Sequence, residues 1–143
     1  MRTQPTILLV EDSPDDADLM RIGLAEAGVA AQLDVVPGGG DALHYVRGTG
    51  RFAGGARPDL VLLDLNLPDV DGREVLRTIK SDPELCAIPV IVLTTSVDDH
   101  DVAATYRLHA NSFVSKPPDF DELVTTLSAI AAFWLQVARL PTG

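Results

Sequence analysis

The stretch Ile7-Leu8-Leu9-Val10-Glu11-Asp12-Ser13-Pro14-Asp15-Asp16 decides the fold. Four large apolar residues in a row, with no polar residue alternating between them, suit a strand buried on both faces. That is the situation inside a parallel sheet covered by helices. Two acids end the run abruptly. Ser13 then reads as a helix N-cap, Pro14 as the first helical residue, and Asp15 and Asp16 as acids facing the positive end of that helix. Ala17, Met20, Leu24 and Ala27 keep helical spacing until Gly28 stops it.

The same strand-to-helix unit recurs outward from there. Gln32–Val36 is a weaker, more alternating strand, as at a sheet edge, and Pro37-Gly38-Gly39-Gly40 turns into a helix over Asp41–Arg47. Residues 48–57 are glycine-rich and aperiodic, and read as a loop insertion. Leu60–Leu63 runs into Asp64; a loop with Pro68 and Gly72 leads to a helix over Arg73–Lys80. Pro89 introduces Val90–Leu93, which runs into Thr94. A helix over Asp98–Leu108, a strand over Asn111–Ser115 and a long helix over Asp119–Leu140 follow, the last opening on an Asp119/Glu122 capping box. Five strands alternating with five helices predict an α/β, doubly wound parallel sheet with right-handed crossovers. Sites in such folds lie at the carboxyl ends of the strands. Glu11-Asp12, Asp64, Thr94 and Lys116 all follow apolar runs at those ends.

Bulk properties narrow the function. The 143 residues fit one domain with its own core, and 46% hydrophobic content argues against disorder. The net charge of −10, with no Lys/Arg run, points away from nucleic acid. One cysteine, Cys86, excludes an internal disulfide and suits a reducing compartment. Met1-Arg2-Thr3-Gln4-Pro5 leads directly into the first strand without a signal-peptide core. The apolar stretch Leu123–Leu140 is interrupted by Gln136 and Arg139, leaving too short a run to span a bilayer. The expectation is a soluble cytoplasmic protein with no membrane partner.

The strand ends carry the chemistry. Adjacent acids such as Glu11 and Asp12 repel unless a cation intervenes. Oxygen-only ligands favour a hard ion such as Mg²⁺. A carboxylate directly after a buried strand, as at Asp64, must emerge into a crevice or be paired. As a phosphoryl acceptor it needs little activation, because positioning and charge neutralisation do most of the work. Thr94 or its neighbour Thr95 can hydrogen-bond a phosphoryl oxygen, and Lys116 offers a mobile positive charge. A cis bond before Pro117 would fix where that ammonium points. Singly, each residue also has an ordinary account: a helix-dipole acid, a strand-end cap, a β-branched terminus, a surface lysine.

Together, Ile7-Leu8-Leu9-Val10-Glu11-Asp12, Asp64-Leu65-Asn66-Leu67-Pro68 with Asp71-Gly72, Thr94-Thr95-Ser96 and Lys116-Pro117 resemble a two-component response-regulator receiver domain over essentially the whole chain. Thirty positions separate Asp64 from Thr94 and 22 separate Thr94 from Lys116, as in that pattern, which selects Thr94 over Thr95. The resemblance implies a flavodoxin-like sheet in the order 2-1-3-4-5 and a single receiver domain over residues 1–143. It implies that Asp64 accepts a phosphoryl group from a sensor histidine kinase. Glu11, Asp12, Asp64 and the backbone carbonyl of Asn66 would hold Mg²⁺, and Thr94 and Lys116 would bind the phosphoryl group. Phe113 would be the aromatic switch residue, rotating as Thr94 moves inward; it also suits a plain core aromatic. The 52 positions from Asp12 to Asp64 exceed a minimal receiver, the surplus falling in 48–57. With the Leu-Thr-Thr-Ser segment and the long last helix, this is similar to single-domain regulators of bacterial phytochrome kinases.

Other features read as structural. His44, His100 and His109 lack metal-ligand spacing, Gly38-Gly39-Gly40 is a turn rather than a phosphate loop, and Cys86 has no catalytic partner. The last helix carries two apolar stripes: Leu123, Leu127, Ile130 and Trp134, and Phe133, Val137 and Leu140. One stripe can face the sheet; the other predicts a homodimer through this helix. With no output domain after Gly143, the expected output is protein contact or onward relay, and the chain is not expected to be an enzyme. Two competing readings are a metal-dependent aspartyl-phosphate phosphatase and a phosphate-independent interaction module on the same fold. The first lacks the usual second Asp, since Asn66 stands two positions after Asp64.

Overall fold

The structure is a computed structural model that describes residues 4–96 and 98–141. Met1-Arg2-Thr3, read above as leading into the first strand, and residues 142–143 lie outside the described residues. The elements run β1 (Thr6–Val10), α1 (Pro14–Glu26), β2 (Gln32–Val36), α2 (Gly39–Arg47), β3 (Leu60–Leu63), α3 (Gly72–Ser81), β4 (Val90–Thr94), α4 (Asp99–Arg107), β5 (Ser112–Ser115) and α5 (Phe120–Ala131). All strand pairs are parallel and the order is β2-β1-β3-β4-β5, as expected.

Side-chain alternation along the strands divides the core in two. Ile7 and Leu9, Leu60 and Leu62, Ile91 and Leu93 face α1 and α5, where Ala17, Met20, Leu24, Leu123 and Leu127 meet them. Leu8 and Val10, Val61 and Leu63, Val90 and Val92 face the other way, against Ala42 and Val46 of α2 and Val75, Leu76 and Ile79 of α3. Because both faces are covered, Ile7–Val10, Leu60–Leu63 and Val90–Leu93 are apolar without alternation. Gly23 lets α1 and α5 touch: a Cβ there would lie 2.9 Å from Leu127 Cδ1.

The helix starts follow the cap residues. Ser13 accepts from the Asp16 N–H at 3.3 Å, Asp71 from Arg73 at 2.8 Å, Asp98 from His100 at 2.9 Å and Asp119 from Glu122 at 3.0 Å. Gly28 takes a left-handed φ of 72° just past α1.

Three expectations change. The last helix does not run to Leu140: α5 ends at Ala131, a π-helical turn covers Ala132–Val137, and Ala138 is extended. Beyond that turn, Ala138 and Leu140 line a cavity with Gln4, Pro5, Asp59 and Trp134. The 48–57 insertion is not purely irregular. Gly50–Phe52 forms a 3-10 turn, with Phe52 packed on Tyr45 (ring centroids 5.1 Å apart) and Arg51 both over Phe52 and paired with Asp41 at 3.0 Å. Finally, by length and composition Phe120–Val137 is apolar enough to cross a membrane, although Gln136 interrupts it; Leu123 and Leu127 bury its inner side against the sheet.

Candidate phosphoryl and metal site

Strand register assembles the site. Val10 pairs with Leu63, so the residues that follow each, Glu11 and Asp64, emerge side by side; the Asp64 N–H donates to the Val10 carbonyl at 3.2 Å. Thr94 pairs with Ser115, and the Lys116 N–H donates to the Thr94 carbonyl at 2.7 Å. Residues up to 105 positions apart thereby share one volume.

Within it, carboxylate oxygens of Glu11, Asp12 and Asp64 all lie within 4.8 Å of one another. The Lys116 ammonium donates to Glu11 Oε1 at 2.7 Å, and the Ser13 N–H donates to Glu11 Oε2 at 3.2 Å. Thr94 donates its hydroxyl to Asp64 Oδ1 at 3.1 Å, which also accepts the Asn66 N–H at 3.2 Å. Thr94 is fully buried and Thr95 exposed, so the hydroxyl facing the site is that of Thr94. Burial pushes the Glu11 carboxyl above its usual range; Lys116 and the Ser13 N–H pull the other way, and the Asp64 charge adds to the rise.

The donor set fits a divalent cation. Three carboxylates meet a single ammonium, and among the described residues nothing donates to the Asp12 carboxylate. Asp12 is exposed, Asp64 half-buried and Glu11 buried, so the cluster opens to solvent on one side. All the ligands are oxygens, which suits a hard ion that keeps some water.

Lys116 is aimed by its ion pair with Glu11 rather than by a cis bond: no peptide bond among the described residues is cis. Phe113 stands outside the acidic cluster. It is partly buried against the α2/α3 core, and its N–H donates to the Tyr106 hydroxyl at 3.1 Å. The three histidines also lie apart: His44 bonds Thr49, His100 is exposed on α4 and His109 ends α4 with φ 71°.

One neighbouring network was missed by sequence reasoning. Asp101 takes the Ser96 hydroxyl at 2.7 Å and a short bond from Arg73, whose other nitrogen bonds Asp71 at 3.2 Å. It ties the β4–α4 loop, two residues beyond Thr94, to the start of α3. Ser96 belonged to the motif already quoted, but nothing local pairs it with residue 101. Ser96 and Arg73 hold the Asp101 carboxyl below its usual range.

Known proteins resemble this chain along nearly its whole length. Residues 7–128 match the response regulator receiver domain family. The response regulator Rcp1 of Synechocystis sp. is 42% identical over 96% of this chain and 93% of its own length. The crystal structure of the phosphorylated cyanobacterial phytochrome response regulator RcpA superposes with a TM-score of 0.92 at 44% identity, covering 98% of this chain and 100% of that one. That of the Mn²⁺-bound form of Rcp1 superposes with a TM-score of 0.89 at 41% identity, covering 96% and 99%. With its sheet order, its acidic strand ends and these relatives in agreement, the chain belongs to the response regulator receiver domain family and is a phosphorylation-switched response regulator.

Proposed function

We propose that Asp64 is the phosphoryl acceptor of this response regulator and that the donor is the phosphohistidine of a sensor kinase. One observation carries the reading: Asp64 accepts the Thr94 hydroxyl at 3.1 Å while a carboxylate oxygen of Asp64 lies within 4.8 Å of oxygens of Glu11 and Asp12. An Asp64 oxygen attacks phosphorus, the P–N bond breaks, and the imidazole leaves and is reprotonated. Glu11, Asp12, Asp64 and the Asn66 carbonyl would hold Mg²⁺, which supplies positive charge against the phosphoryl oxygens. Thr94 donates to a phosphoryl oxygen, and Lys116 turns from Glu11 toward another. Thr94 already reaches Asp64, so its share of the switch is a short movement, with Phe113 as the aromatic that follows it.

The likeness to RcpA supports a phytochrome-type kinase as partner. A groove of about 390 Å³ beside Lys116 gives that partner a place to dock; it is lined by Leu19, Met20, Pro117, Pro118 and Phe120. Leu19 and Ile22 stand 45% and 51% exposed on α1 nearby. Phe133 and Val137 are 51% and 72% exposed, which supports a homodimer through the C-terminal helix region. We read residues 1–143 as one receiver domain in the cytoplasm, acting through protein contacts or relay, with no nucleic acid or membrane partner and no enzymatic turnover of its own.

Incubation with an autophosphorylated phytochrome-type kinase and Mg²⁺ should label the parent at Asp64 and leave Asp64→Asn unlabelled. Equal labelling of both would refute the acceptor assignment. Multiple turnover of small phosphate esters would instead favour the phosphatase reading. Failure of every phosphodonor would favour a phosphate-independent module.

A further inference from the structure

Gly38-Gly39-Gly40, expected as a turn, instead caps and opens α2 from Gly39; it plays no part in the site described above, yet a second loop is docked on it. The Asp69 carboxylate accepts from the Gly39 N–H at 2.9 Å and from the Gly40 N–H at 3.0 Å. These are first-turn amides of α2, which have no partner within the helix. The positive end of the helix favours the negative charge. Those amides, with that of Val70, hold the Asp69 carboxyl below its usual range. The approach depends on missing side chains. A Cβ at Gly38 would lie 2.7 Å from Asp69 Oδ1, and one at Gly39 would lie 2.5 Å from the Val70 carbonyl and 2.8 Å from Val75 Cγ2.

Asp69 belongs to the connection from β3 to α3, the loop that starts at Asp64. Its near end is closed on itself: the Gly72 N–H donates to the Leu65 carbonyl at 2.9 Å, and a Cβ on Gly72 would sit 2.4 Å from the Asp64 carbonyl. Asn66, Leu67 and Pro68 therefore cross from the acidic cluster to α2 with both ends held. We propose that Asp69 and the glycine-rich start of α2 form a brace that sets this loop, making Asp69 a positioning residue for the cation held by the Asn66 carbonyl and the three acids. The inference rests on the metal site assigned under Proposed function. With the brace intact the loop is ordered before the ion arrives; without it, the ordering cost falls on binding.

Mn²⁺ titration of the parent, Asp69→Ala and Asp69→Asn, read from the signal of the free ion, tests this. The Asn66 carbonyl ¹³C shift on adding Mg²⁺ and the Gly39 and Gly40 amide signals are recorded on the same proteins. Asp69→Ala should weaken Mn²⁺ binding about tenfold, shrink the Asn66 carbonyl response and shift both glycine amides. Asp69→Asn, whose amide oxygen can still accept from one glycine, should restore part of the affinity. If Asp69→Ala folds poorly, Gly40→Ala serves instead, since its Cβ would press on Asp69 Oδ2 at 3.0 Å; it should weaken Mn²⁺ binding likewise. Mn²⁺ affinity within about twofold of the parent, despite shifted glycine amides, overturns the brace alone. Glycine amides unmoved by Asp69→Ala also overturn it. A parent that binds no Mn²⁺ overturns the metal site and the brace together.

Discussion

The carboxyl edge of the sheet and the C-terminal helical region are both built where an element ends, but by different means. At the sheet edge, Glu11 and Asp64 directly follow the buried strands β1 and β3, Thr94 ends β4, and Lys116 follows β5. Parallel register alone delivers Glu11 next to Asp64 and Lys116 next to Thr94. At the C-terminus, a π-helical turn and an extended Ala138 end the helix, and Ala138 and Leu140 share a cavity with Gln4, Pro5 and Asp59, segments remote in sequence. Register carries information along the chain; packing between distant segments does not.

That contrast can be broken at several points. The largest effect should come from Asp64→Asn, which should lose phosphoryl labelling entirely while keeping its melting temperature, since an amide is a poor acceptor. Leu127→Ala should cost about 3 kcal/mol in denaturant unfolding, because Leu127 is fully buried beneath Gly23 and the sheet. Lys116→Ala leaves the buried Glu11 carboxylate without its cation. It should lower stability by about 1–3 kcal/mol, and added Mg²⁺ should recover part of that while phosphorylation-dependent partner binding stays impaired.

Asp101→Asn has a smaller effect with a pH signature. The Asp101 carboxyl is held low in the folded state, chiefly by Ser96 and then Arg73. Its stabilisation is therefore complete above the ordinary carboxylate range of the unfolded chain and drains away as pH falls through the lower folded value. Thermal melts should show the variant slightly less stable at neutral pH, by less than about 1 kcal/mol, with the gap to the parent closing in acid. The smallest stability change should come from Phe133→Ser, within about 0.5 kcal/mol because the ring is half exposed. Light scattering should nonetheless show that variant as monomer where the parent is dimeric; a parent that stays monomeric would remove the dimer.

Much of this was legible in the residues because the physics was local. Solid apolar runs marked β1, β3 and β4, and Ser13 and Asp119 marked helix starts through their own backbone bonds; the Asp71 cap of α3 emerged only in the structure. The choice of Thr94 over Thr95 came from family spacing, and burial of Thr94 agrees with it. The Ser96–Asp101–Arg73 network and the Asp69 contact to α2 had no comparable signal. Each joins short polar side chains across loops, and no periodicity links residue 69 to residue 39.

The sequence by itself determined the order of elements, the parallel sheet and the identity of the acids at its edge, since strand burial and cap chemistry act within a few residues. Only the tertiary structure decided that Lys116 rests on Glu11, that the start of α2 receives Asp69, and that α5 gives way to a π-helical turn after Ala131. Those outcomes turn on which surfaces meet when distant segments pack, and that competition leaves no mark on local spacing.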